Sequence, residues 1–250
     1  MVEHGALKPA HRRLWFAGPL VLLLLVILLA LGTWQVKRLY WKEALLSEIE
    51  LRVHSAPVAL GEIETIAASG GDIEYRTVRL SGIFDHSKER HFFATHQGQT
   101  GYYVYTPLKL DDGREIFINR GFVPYDMKDP AKREQGQVTS RVTIEGLARA
   151  QLAAKPSMML PDNDIAKNIF YWKDIRAMAK SVDIPPSTLV PFFVDANAAA
   201  NPGGWPKGGV TLIDLPNNHL QYAITWYGLA AALVFVAGFA YVRSLKGPKE

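Results

Sequence analysis

The chain has 250 residues, with 28 Lys and Arg against 24 Asp and Glu, a net charge of +4 and no cysteine. The absence of thiols excludes a disulfide framework, thiol redox exchange and thiolate binding of copper(I). A mean hydropathy near zero is here the average of two very apolar segments and one polar domain, and the small positive excess leaves no footprint for nucleic acid.

The first apolar segment, residues 14–36, holds no charged residue and has about the 20 residues that a membrane-crossing helix needs. Arg12 and Arg13 ahead of it make a positive n-region, and Ala30 and Gly32 imitate a cleavage site. The run nevertheless exceeds the roughly 7–15 residues of a signal peptide, so an uncleaved anchor is expected. Residues 220–242 form a second uncharged run of the same kind. Two spans put both termini on one side. Lys8, Arg12 and Arg13 before the first, with Arg243, Lys246 and Lys249 after the second, place the tails in the cytoplasm against a weaker opposing bias from Lys37, Arg38 and Lys42. The short leading segment does not suit a mitochondrial transit peptide, so the expected setting is a bacterial inner membrane. The division is a cytoplasmic tail at 1–13, a span at 14–36, a periplasmic domain at 37–215, a second span with its outer cap at 216–242, and a cytoplasmic tail at 243–250.

Within the domain, YRTVRLSGIF (75–84), GYYVYTPLKL (101–110), EIFINRGFVP (115–124) and RVTIEGLARA (141–150) read as strands. The Asp-Gly pair in DDG (111–113) marks a hairpin between the second and third. Residues 174–182 read as a short helix stopped before Pro185 and Pro186, and LVPFFVDA (189–196) as a further strand. ANPGGWPKGGV (200–210) reads as a linker to the second span. The expected fold class is an α+β membrane protein, with two transmembrane helices flanking a β-rich, mainly antiparallel domain.

The domain shows no phosphate loop, nucleophile elbow or HExxH pattern, which points away from catalysis. His91 and His96 are an odd number of residues apart, so a regular strand sends them to opposite faces; with His54 and His86 they read as solvated or core histidines. Met158 and Met159 read as packing residues rather than copper ligands. In EIFINRGFVP the polar Asn119 and Arg120 interrupt an apolar strand and Gly121 permits a bulge. Arg120 has two readings, an anchor for a carboxylate or propionate and an internal ion pair that fixes the strand end; Arg76 can be read the same way.

At the outer ends of the spans, Trp34, Arg38 and Trp41 share one helical face beside Gln35, and His219, Tyr222 and Trp226 share another, with Asn217 or Asn218 as helix cap. Tryptophans at headgroup level explain both faces without further function.

The segments GTWQVKRLYWK (32–42), YRTVRLSGIFD (75–85), PL (107–108), NRGFVP (119–124) and NNHLQYAITWYGLA (217–230) resemble, in order and spacing, the surfeit locus protein 1 family, assembly factors of haem-copper cytochrome c oxidase. Phe122 departs from the tryptophan usual there. The resemblance implies a non-enzymatic role in building the catalytic subunit of the oxidase, with haem a as a transiently bound cofactor and haem a synthase as a further partner. It implies His219 as the haem iron ligand, while Gln35 orients the imidazole, Tyr222 and Trp226 supply apolar contact and Arg38 faces the propionates. The alternative is a haem-independent scaffold for an oxidase assembly intermediate. A copper chaperone is disfavoured by the lack of cysteine.

Overall fold

The computed structural model describes residues 9–211 and 216–245, with side chains from residue 17. Lys8, Lys246 and Lys249 lie outside the described residues, as do the side chains of Arg12 and Arg13. The chain forms two compact units, residues 1–48 with 214–250, and residues 49–213.

The first unit holds two helices long and apolar enough to cross a membrane, α1 (Pro9–His54) and α4 (His219–Leu245). Along α1 the less exposed positions include Val21, Leu25, Leu28, Gly32, Gln35 and Leu39, and along α4 they are His219, Ala223, Trp226, Ala230, Leu233 and Ala237. Both series step by four and three residues, the spacing at which two helices keep one seam together. The remaining faces are exposed leucine, valine, isoleucine and phenylalanine, as lipid-facing surface requires.

α1 does not stop with the uncharged run but continues to His54. Its end belongs to the second unit, where Ile49 is buried and the Thr77 hydroxyl donates to the carbonyls of Arg52 and Val53, at 3.1 Å each. The last carbonyls of a helix lack intrahelical partners; here the Arg52 carbonyl also accepts from the Ser55 N–H at 3.3 Å.

The second unit begins with β1 (Val58–Ala59) and α2 (Leu60–Ala68). There follow β2 (Thr77–Phe84), β3 (Arg90–His96), β4 (Gln99–Leu110), β5 (Glu115–Pro124), β6 (Val142–Ala150), α3 (Ile175–Lys180) and β7 (Phe192–Ala196). The expected strands and the hairpin at 111–113 are present, and the expected short helix is α3, with the Asp174 carboxylate accepting from the Ala177 N–H as its cap. β2 pairs with β6 along residues 77–82 and with β4 along 82–84, so Gly82 faces both Val142 and Leu110. A Cβ there would meet the Lys109 carbonyl oxygen at 2.3 Å. That double pairing closes β2, β4, β5, β7 and β6 into a ring in which only β5 and β7 run parallel. This is the strand order of an OB-type Greek-key barrel, and the sheet is mainly antiparallel as expected.

Alternation within the strands sorts the buried side chains into a small cluster of Tyr102, Val104 and Val123 and two large ones. Val78, Leu80, Leu108, Ile116, Ile118, Phe192 and Val194 form the inner one, joined by Ile63 of α2. Tyr105, Phe117 and Phe193, on the opposite faces of their strands, pack against Phe170, Ile175, Met178 and Ile184 of the long β6–β7 connection. β4 and β5 are therefore covered on both sides. The segment 200–210 is not a free linker: Phe122 and Lys207 exchange both backbone hydrogen bonds, at 2.8 and 2.9 Å.

Candidate functional site

The clearest local arrangement in the membrane unit is the meeting of α1 and α4. The first intrahelical bond of α4 runs from the Tyr222 N–H to the Asn218 carbonyl, which makes Asn218 the cap and places His219 in the first turn. Gln35 comes from the inner face of α1, 9% exposed. Its side-chain oxygen lies 2.7 Å from His219 Nδ1. An amide oxygen only accepts, so Nδ1 carries a proton, and in the neutral ring the lone pair is then on Nε2. That is the tautomer in which a neutral imidazole can coordinate a metal through Nε2.

The neighbours hold this pair in place. The Tyr227 hydroxyl and the Thr33 hydroxyl are 3.1 Å apart, and the Tyr227 ring lies where a side chain at position 32 would be, 2.8 Å from an added Cβ. Gly32, Thr33 and Tyr227 were not among the expected site residues; the glycine in GTWQ and the alternation of small and aromatic residues along the seam are the signals that point to them. Asn217 Oδ1, two residues before His219, is buried with no hydrogen-bond partner among the described residues. Tyr222 is 55% exposed and Trp226 half-buried. Arg38 is exposed and stacks on Trp41, its guanidinium carbon 3.7 Å from the ring centroid, which leaves the edge of the guanidinium open to an anion.

The Arg120 side chain has the partners that the internal reading of the sequence expects. It belongs to the barrel unit, is 2% exposed, and donates to the Gly136 carbonyl, Asn201 Oδ1 at 3.3 Å and His86 Nδ1 at 3.3 Å. Glu89 lies 3.7 Å away and also accepts both arms of the Arg133 fork, at 3.0 and 2.6 Å. Burial pushes the Arg120 guanidinium down to about 10. Burial alone would raise the Glu89 carboxyl, but the neighbouring His86 and Arg133 outweigh it and hold the group at about 2. The bidentate Arg133–Glu89 pair ties the buried end of the barrel together, while Arg120 Nε is buried with no hydrogen-bond partner among the described residues. Arg76 is half-buried and its Nε donates to the Asp72 carbonyl at 2.8 Å.

His91 and His96 do point to opposite faces, one ring against Tyr102 and the other against Tyr103. His91 is 4% exposed and accepts from Asn168 Nδ2 at 3.0 Å, and burial pushes its imidazole down to about 4. His86 bonds the Val138 carbonyl and His54 the Glu50 carbonyl, at 2.8 and 2.9 Å. Among the described residues no three His, Cys, Asp or Glu side chains gather as a metal site. Met158 and Met159 are corrected: at 100% and 95% exposed they pack against nothing. The bulge expected at Gly121 is present, since β5 carries two residues, Arg120 and Gly121, where β4 carries Val104.

A family model described as the SURF1 family matches residues 22–231, from within α1 to within α4. The chain belongs to the SURF1 family. It is 37% identical to Surfeit locus protein 1 of Xenopus tropicalis over 90% of this chain and 76% of the frog protein. The human Surfeit locus protein 1 shares 35% identity over 91% of this chain and 78% of its own length. For the Takifugu rubripes protein the figures are 33%, 93% and 98%. The matched region contains both sides of the Gln35–His219 pair and the whole barrel.

Proposed function

We propose that this SURF1 family member is a non-enzymatic assembly factor for haem-copper cytochrome c oxidase, which binds haem a at the outer ends of its two spans and assists its insertion into or retention by the catalytic subunit. The observation that carries this reading is the hydrogen bond between His219 Nδ1 and Gln35 Oε1, which frees Nε2 for iron. The donor set suits the group. His219 supplies an imidazole nitrogen, Tyr222 and Trp226 an apolar and aromatic flank, and Arg38, stacked on Trp41, a guanidinium for a propionate. Haem is cargo here, and the protein's own contribution is to hold the imidazole in one tautomer and one orientation across two helices.

The proposed setting is a bacterial inner membrane, with the barrel periplasmic and both termini cytoplasmic. The basic residues outside both spans support it, and a reporter fused after Lys249 is expected to be active only in the cytoplasm. Activity of that fusion in the periplasm would reverse the orientation. The catalytic subunit and haem a synthase are the proposed partners. A scaffold that never touches haem is the competing account, and an optical spectrum of the protein purified from cells that make haem a separates the two. A haem a spectrum at a fixed ratio to protein is expected, while a haem-free preparation would leave the scaffold.

A further inference from the structure

The β6–β7 connection, besides covering the outer face of the barrel, encloses a groove of about 660 Å³. Ile175 and Ala179 of α3 and the following Ile184, each 3% exposed, line it together with Leu189 and three prolines, Pro185, Pro186 and Pro191. Arg176 and Lys180 also line it. They stand four residues apart, on one face of α3. Both are exposed, and neither side chain has a hydrogen bond or ion pair among the described residues. Asp183, on the turn that follows, is the one carboxylate of the lining, so the groove carries an excess of one positive charge.

The walls are preformed. The Ile184 N–H donates to the Ala179 carbonyl at 3.0 Å, the Thr188 and Leu189 N–H groups to the Pro185 carbonyl at 3.1 and 3.2 Å, and the Val190 N–H to the Glu115 carbonyl at 2.9 Å. Three prolines with fixed φ stiffen the same stretch. A preformed apolar concavity within the range of about 300–1,000 Å³, with a few polar groups at its edge, is the usual form of a small-molecule site. Two unpaired cations on one wall select an anion, and a guanidinium and an ammonium together suit a carboxylate. An extended acidic peptide would need a longer apolar track than Leu189 and the three prolines offer.

We propose that the groove binds a small amphiphilic carboxylate, its apolar body against Leu189, Pro185, Pro186 and Pro191 and its carboxylate between Arg176 and Lys180. The site is independent of haem and of the oxidase reading. The test is isothermal titration of the full chain in lipid nanodiscs with 2-naphthoate, after subtraction of empty nanodiscs. One saturable site is expected, weakened about tenfold or more by Arg176→Gln with Lys180→Gln, as the loss of a charge-assisted pair implies. Gln151→Trp, which fills the groove from its rim, should abolish the binding while the thermal transition stays in place. The neutral 2-naphthylmethanol should bind about tenfold more weakly or worse. Absence of saturable heat from the unaltered chain, an unchanged affinity in the double variant, or equal binding of the neutral probe would overturn the proposal. Equal binding of a tetraglutamate peptide would overturn it too, by showing a charged patch for acidic chains in place of an amphiphile site.

Discussion

At Gly121 the backbone sits at φ +126°, and a Cβ there would come within 1.8 Å of the Lys207 carbonyl oxygen. Both facts exclude a side chain, because the left-handed region penalises any Cβ and the neighbour is backbone that cannot rotate away. Gly121→Ala should therefore cost about 2–4 kcal/mol by parting β5 from segment 200–210, seen as a lowered thermal midpoint of the barrel. The buried polar end of the barrel makes a second prediction at this scale. With its folded pKa depressed to about 4, His91 stays neutral on acidification while the unfolded chain takes up its proton from pH 6.5 downward. Stability is thus lost as pH falls from 6.5 towards 4, by about 3 kcal/mol. The Glu89 carboxyl, held at about 2 against an ordinary 4.5, contributes stability that is complete above 4.5 and lost below it. Urea midpoints measured from pH 7 to 4 should decline throughout, and His91→Gln should flatten the stretch between 6.5 and 4. A flat profile in the unaltered protein would contradict the burial of these groups.

Among the elements, the α1–α4 seam is the most consequential, and it depends on small residues at particular steps. Gly32 lies under the Tyr227 ring, whereas Gly228 has nothing within 4 Å of the position a Cβ would take. Because the chain has no cysteine, spin labels on cysteines placed at the exposed positions Leu20 and Val242 report the helix pair alone. Gly32→Leu should broaden or lengthen the measured distance, and Gly228→Leu should leave it as it was. Similar effects from both would mean that the seam is elsewhere. Most strands of the barrel were legible because β-branched and aromatic runs bounded by turn residues carry their own signal, as in β4 and β5. β1, α2 and β3 were not read. β1 is two residues long, and in RHFFATH the apolar residues fall on adjacent positions, so alternation is lost. The length of α1 was hidden by Lys37, Arg38 and Lys42, which look like the start of a soluble domain although the helical spacing of buried positions continues to Ile49 and Val53. Segment 200–210 has a linker's composition, and only its pairing with Phe122 shows that it is docked.

At the scale of the whole molecule, the fold divides its work between a closed barrel and a helix pair. The barrel buries Glu89 between Arg120 and Arg133 and uses its own β6–β7 connection to cover the strand faces around Phe117 and Phe193. Sequence pattern alone could not distinguish Arg120 from a ligand anchor, because the distinction rests on Gly136 and Asn201, which are remote in the chain and adjacent only after closure. The pairing of Gln35 with His219 is likewise 184 residues apart in sequence, and it was expected from the family resemblance of the two motifs, not from their spacing. The proposed haem role passes through that pair. The most direct test is the haem content and optical spectrum of His219→Ala, purified in lipid from cells that make haem a, beside the unaltered chain. The substituted protein should insert and accumulate normally, since both spans remain, while its haem a signal is lost or shifts to a five-coordinate form. A stably inserted His219→Ala protein with unchanged haem content and spectrum would contradict the assignment.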